Sequence, residues 1–188
     1  MSVPIRGAAL LSCGALFILG CAAGAGPASR TGEAAAPGRE VVIPGVPFLP
    51  QEEETCGPSS LAMMLRFLGK EAGTAELVRE TRTAGLKGTL ITDLAAAARR
   101  RGVPAEVVGL DAAGLRAEID AERPVIALVD LGVWAWSRPH YVLVYGYGPR
   151  GYVAHSGRTA GLEIPASEFD ARWAKMGRLA IVVRGAGR

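Results

Sequence analysis

The spacing of the apolar side chains changes near residue 122, and that change limits the folds open to this chain. Before it, apolar residues recur at helical intervals: Leu61, Met64, Leu65 and Leu68 stand at i, i+3, i+4 and i+7, with Gly69 as the stop. The same spacing predicts helices over Thr74–Arg82, capped by Thr74, over Thr92–Arg101, closed by Gly102, and over Asp111–Glu122, capped by Asp111. After it, Pro124–Leu131, His140–Tyr147 and Tyr152–Ser156 are runs of Val, Leu and Tyr, which read as strands. Gly148-Pro149-Arg150-Gly151 joins the last two as a hairpin connection. A helix over Ser167–Lys175 and a strand over Leu179–Val183 follow, and Val41–Phe48, broken by Pro44 and Pro47, is an extended edge segment. Helices first and hairpin-linked strands after define an α+β fold, an N-terminal helical part followed by an antiparallel sheet.

A chain of 188 residues suits one domain, and its first forty residues have a different character. Arg6 precedes an uncharged, mostly apolar stretch from Gly7 to Gly20, the pattern of a signal peptide and too short to span a bilayer as a helix. Ile18-Leu19-Gly20-Cys21 resembles the bacterial lipobox, whose cysteine is lipidated; a plain secretory signal cleaved nearby is the alternative. Ala22 to Gly38 is rich in Ala, Gly and Pro and reads as a tether that cannot bury enough apolar surface to fold. The expected organisation is a signal peptide over 1–20, a flexible tether over 21–40 and a folded domain over 41–188. Ala22, not Asp, follows the cysteine. By resemblance to Gram-negative lipoproteins, that implies a lipid anchor on Cys21 at the periplasmic face of the outer membrane.

Composition excludes several classes of function. The net charge is +3, and the one basic run, Arg99-Arg100-Arg101, falls at a helix C-terminus, where cations are favoured. A nucleic-acid partner is therefore not expected. Neither HExxH nor CxxC spacing occurs, and there is no Gly-rich phosphate loop, so no metal and no cofactor are expected. The three cysteines then separate by context. Cys13 lies in the signal and Cys21 in the lipobox, which leaves Cys56 as the single thiol of the mature domain. An inert buried cysteine is one account of it. Its position argues for another: Cys56 stands directly before a helix, where the positive end of the dipole lowers a thiol's pKa. Of the two histidines, His140 opens a strand after Ser137-Arg138-Pro139, while His155 lies within one. A thiol at a helix start and an imidazole at a strand start is the layout of a nucleophile with its general base. Trp134, Trp136 and Tyr141 flank His140 as either a substrate-binding wall or core and rim aromatics.

The stretch from Pro47 to Leu65, including Gln51 and Cys56-Gly57-Pro58-Ser59-Ser60, resembles the nucleophile motif of the bacteriocin-processing peptidases. His140-Tyr141-Val142-Leu143-Val144-Tyr145-Gly146-Tyr147 resembles that family's histidine motif, and Pro124 to Val129 the strand before it. The resemblance implies a papain-like fold, a peptide or protein substrate, and cleavage by the Cys56–His140 pair. It also implies that Gln51 donates its side-chain amide to the oxyanion beside the backbone amide of Cys56. Family peptidases usually carry Asp where this chain has Ser156, which can hold the imidazole's tautomer but cannot balance its positive charge. Asp130 and Asp170 are the alternatives for that third position, and His155 is then a satisfied or exposed strand residue. The best-known members cut leaders after a double glycine and are fused to exporters. Such cleavage is not expected of an exported, tethered protein. Three functions remain open at this level: a thiol peptidase, a transpeptidase or amidase on the same fold, and a catalytically silent peptide-binding module.

Overall fold

A computed structural model of the chain describes residues 38–52, 54–134 and 136–185. The signal peptide, Cys21 and nearly all of the tether lie outside the described residues. The elements run β1 (Val41–Val42), α1 (Cys56–Phe67), α2 (Thr74–Thr81), α3 (Ile91–Arg100), β2 (Ala105–Gly109), α4 (Ala112–Asp120), β3 (Val125–Asp130), β4 (Pro139–Gly148), β5 (Gly151–Ser156), β6 (Thr159–Ile164), α5 (Ala166–Ala174) and β7 (Leu179–Val183). The strands form one antiparallel sheet in the order β2-β7-β3-β4-β5-β6. β1 pairs with β4 at Val41 and Tyr147, along a stretch of β4 beyond the part paired with β3.

The sheet is covered on both faces, which explains why its central strands show no alternation of polar and apolar residues. β3 is buried at every position. Its Ile126 and Leu128 pack with Tyr141, Leu143 and Ile181 against Leu61 and Leu65 of α1 and Leu94 of α3. Its Val125 and Ala127 pack on the other side with Val142 and Val144 against Leu115 and Ile119 of α4 and Phe169 and Trp173 of α5. α1 is buried from Gly57 to Leu65, so the helix that begins with Cys56 is a central beam of the domain.

The α+β architecture agrees with the spacing of the apolar residues. Asp111 caps α4, its carboxylate accepting the Gly114 N–H at 2.7 Å. Thr74 does not cap α2: it is the first helical residue, and Gly73 holds the cap position without a side-chain bond. Two strands have no counterpart in the sequence pattern. β2 is five residues with a mixed burial pattern, and β6 is an edge strand exposed at every position but Ile164. An edge strand wet on both sides carries no hydrophobic period to detect. The basic run at the end of α3 is also less solvated than expected, because Arg100 and Arg101 pair with Glu80 and Arg101 with Glu76 of α2. Among the described residues no helix is long and apolar enough to cross a membrane.

Trp173 is 1% exposed, stacks on Phe169 and donates its indole N–H to the Leu179 carbonyl at 2.9 Å. Trp173→Ala is expected to cost about 3–5 kcal/mol, read as a lower urea midpoint with an unchanged denaturant slope.

Candidate active site

Cys56 is the first residue of α1 and the only cysteine among the described residues. The backbone N–H groups of Tyr141 and Gly57 lie near its sulfur and favour the thiolate. The Tyr141 amide is free for this because pairing of β4 with β5 begins only at Leu143 and His155. The approach of helix to strand needs a glycine. A Cβ on Gly57 would stand 3.0 Å from Leu94 Cδ1 and 3.0 Å from Tyr141 Cδ2. Tyr141 is buried, with its hydroxyl donated to the Thr89 carbonyl at 2.9 Å. It is a core residue on which the helix start rests, whereas Trp134 and Trp136 are 100% and 81% exposed.

His140 and Ser156 meet. Register pairs His140 with Val129, so His140 shares a sheet face with Val142; Ala154 opposite Val144 puts Ser156 on that same face. His140 Nε2 lies 3.1 Å from Ser156 Oγ. Asp130 pairs with Pro139 and leaves the sheet on the opposite face. Its carboxylate accepts the Gly132 and Arg138 N–H groups at 2.7 and 2.8 Å, which hold it below its ordinary pKa and tie the loop before β4. Asp170, on α5, is ion-paired to Arg178, which follows that helix. His155 is buried between Phe48 and Tyr145. Its Nδ1 accepts the Gly161 N–H at 3.2 Å, so Nε2 carries the proton and donates to the Val46 carbonyl at 3.3 Å. This histidine is fully engaged in the core.

Gln51 is 4% exposed and is held at three points. Its backbone N–H donates to the Gly157 carbonyl at 2.8 Å, its Oε1 accepts the Gly157 N–H at 2.8 Å, and its Nε2 donates to Ser60 Oγ at 2.9 Å. Gly157 fixes which end of the amide is oxygen. The Ser60 bond uses one of the two Nε2 hydrogens, which leaves a second donor. Ser60, 0% exposed, escaped notice in the sequence, although it lies one helical turn after Cys56 in the same motif. Gly157 gave no signal of its own; its backbone role depends on where the β5–β6 turn lands.

Both titrating groups are shifted toward neutrality. Burial pushes the Cys56 thiol above its ordinary value, and the amides of Tyr141, Gly57 and Cys56 itself, which pull the other way, do not offset it. The acidified thiol expected from the helix start is thereby corrected: desolvation outweighs the favourable amides. Burial, and after it the positive charge of Arg138, lowers His140 to about 4. Among the described residues no carboxylate acts on the ring to reverse this. At neutral pH the pair is therefore a thiol and a neutral imidazole.

An open cleft of about 530 Å³ begins at Cys56 and is lined by Gly57, Leu86, Leu90, Leu128 and Met176 among others. Leu86 and Leu90 are half-exposed on its rim. The cleft offers an apolar bed beside the sulfur.

Solved structures share this arrangement of elements. A C39-like peptidase from Bacillus anthracis superposes with a TM-score of 0.67 at 18% identity, covering 80% of this chain and all of that one. The peptidase domain of Streptococcus ComA, a bifunctional ABC transporter of a quorum-sensing pathway, gives 0.58 at 22% identity over 72% of this chain and 95% of its own. A double-glycine-motif protease from an AMS/PCAT transporter, solved with its leader peptide, gives 0.58 at 20% identity over 79% and 99%. No curated protein matches the chain. The fold is thus the papain-like fold of cysteine peptidase domains. The chain belongs to the peptidase C39 family, whose model matches residues 47–184.

The depressed pKa of His140 links stability to pH. Its folded value lies below the ordinary 6.5, so the unfolded chain takes up this proton first as pH falls. Stability held above pH 6.5 is lost on descending toward pH 4. In urea titrations the wild type should lose on the order of 2 kcal/mol more than His140→Gln across that window, allowing for the ring's partial exposure.

Proposed function

We propose that this protein is an exported cysteine peptidase that hydrolyses peptide bonds through Cys56 and His140. The supporting observation is the geometry of the imidazole. Its Nε2 is taken up by Ser156 Oγ at 3.1 Å, and the strand that carries it presents the next residue's N–H to the Cys56 sulfur. With Nε2–H donated to the serine, the Nδ1 lone pair is the basic site. A peptide carbonyl carbon in the cleft is attacked by sulfur as the thiol proton passes to Nδ1. The carbonyl becomes an oxyanion facing the Cys56 amide and the second Nε2 hydrogen of Gln51. Nδ1–H then protonates the leaving amine as the C–N bond breaks, and water attacks the thioester with the same imidazole as base.

Because Ser156 cannot carry negative charge, the imidazolium formed on this path is stabilised by orientation alone. An extended peptide as substrate is supported by the leader peptide bound to a neighbour of the same fold and by the apolar bed at Cys56. Export and lipidation rest on the lipobox-like Ile18-Leu19-Gly20-Cys21 and the tether after it, which support a lipid-anchored enzyme at the periplasmic face of the outer membrane.

The test is alkylation of Cys56 by an iodoacetamide probe across pH, with cleavage of a fluorogenic peptide library by the same protein. We expect Cys56→Ala to abolish cleavage, and His140→Ala to lower it by at least about 1000-fold while changing the pH profile of alkylation. A thiol of free-cysteine reactivity, indifferent to His140→Ala, with no peptide cut, would instead mark a peptide-binding module. Acyl transfer to an added amine in place of hydrolysis would mark a transpeptidase. For the anchor, Cys21→Ser should abolish incorporation of labelled palmitate and release the protein from membranes.

A further inference from the structure

Three elements of the site converge on one buried side chain. The helix of the nucleophile reaches it through Ser60, the segment before that helix supplies it as Gln51, and the β5–β6 turn reaches it through Gly157. The two bonds between Gln51 and Gly157, one from the backbone and one to the side chain, are both 2.8 Å and bind the turn across a sequence separation of 106 residues. The turn has the build of a tight hairpin connection, with Ser156 paired to Thr159 and Gly157 at φ +58° in its first central position. Nothing lies within 4 Å of where a Gly157 Cβ would be, so side-chain packing does not hold this glycine; its contact with Gln51 is made by backbone atoms. Ser156, whose hydroxyl meets His140, is the residue directly before it.

On the peptidase reading above, we infer that Gln51 is a positioning residue for His140 in addition to an oxyanion donor, and that Ser60 positions Gln51. Through Gly157, Gln51 fixes the height of the turn and so places Ser156 Oγ on Nε2. Through Ser60 Oγ, one Nε2 hydrogen is committed, and the other is confined to a single direction. A glutamine free to rotate would offer the oxyanion a donor only part of the time. One held at both ends of its amide offers it continuously, which is the condition for electrostatic stabilisation without reorganisation. The orientation of the base and the aim of the oxyanion donor are thus one mechanical unit, in which the serine hydroxyl does not have to hold the imidazole unaided.

The roles separate in a set of variants of the full-length protein, each checked for its fold by near-UV circular dichroism. The readouts are the single-turnover acylation rate with a p-nitrophenyl ester of an N-acyl leucine and the NMR titration of His140, assigned by loss of its signal in His140→Ala. Gln51→Met should slow acylation by about 100- to 1000-fold. It should also raise the His140 midpoint from about 4 toward 6.5, because the loosened turn admits water to the ring. Ser60→Ala should slow acylation on the order of tenfold, through a misaimed donor, and leave the His140 midpoint in place. Added to Gln51→Met, Ser60→Ala should slow acylation no further. If Gln51→Met does not fold, Gln51→Asn, which keeps the amide but cannot reach Gly157, should give the same upward shift.

A His140 midpoint unmoved by the Gln51 variants would overturn the positioning role and leave Gln51 an oxyanion donor only. A multiplicative loss in the double variant would overturn the role of Ser60. Absence of acylation in the wild type would defeat the peptidase reading, while the titration would still decide whether Gln51 positions His140.

Discussion

The contact between the start of α1 and the ring of Tyr141 sets where Cys56 meets the strand that carries His140. Glycine at position 57 lets the helix come this close without displacing its neighbours, since a methyl group there would stand 3.0 Å from Leu94 and Tyr141. The closeness does two things at once. It brings the Cys56 sulfur onto the Tyr141 amide, one residue from His140, and it buries the sulfur deeply enough to raise its pKa. The ring of Tyr141 does not yield, because its hydroxyl is anchored on the Thr89 carbonyl and its body is part of the core shared with Leu61, Leu65 and Leu94. Placement of Cys56 and core packing are therefore the same contact, and neither can be altered alone.

That coupling explains which parts of the molecule were legible in the sequence. Helices and central strands could be read because burial imposes a period: Leu61, Met64, Leu65 and Leu68 mark α1, and the unbroken run over Val125–Val129 marks a strand covered on both faces. Cys56 and His140 were legible because few other thiols or imidazoles exist to compete with them. His155, the one rival, is held by the Gly161 amide and the Val46 carbonyl. β6 was not legible, since its residues face water and its place is set by pairing with β5. Gly157 was invisible for a related reason: its function lies in a backbone amide and carbonyl, which every non-proline residue possesses. The direction of the thiol's shift was misjudged because local sequence shows the helix start but not the depth at which the fold buries it.

The third position of the site raises a different question, that of charge. A carboxylate at Ser156 would favour the imidazolium and, through it, a thiolate in the resting state. With a serine hydroxyl there, and Arg138 adding positive charge, the resting pair stays uncharged. Asp130 is near in sequence to His140's strand, yet its carboxylate is spent on the loop amides of Gly132 and Arg138 on the opposite face. On the proposed mechanism the site resembles a serine-type arrangement in its electrostatics, with the proton moved during attack and not before it. On that mechanism such a site depends more on aim than on charge, and a buried glutamine tied at both ends suits it.

An uncharged resting pair has a consequence for the envelope location proposed here. Oxidation of cysteine follows thiolate character and exposure, and outside the cytoplasm the glutathione and thioredoxin pools that keep thiols reduced are missing. A sulfur whose pKa is raised by burial, with no second cysteine among the described residues to trap it as a disulfide, carries less of the thiolate on which that oxidation depends. On the proposed mechanism the cost is a weaker nucleophile until a peptide displaces water from the apolar cleft and meets the oxyanion donors. The same burial that makes the thiol slow at rest excludes water during attack, where fixed amide donors act most strongly. Serine in the place of aspartate is in that sense consistent with the depth of the site: a buried carboxylate would itself need compensating donors, and Gly157, the nearest amide on the turn, is already committed to Gln51.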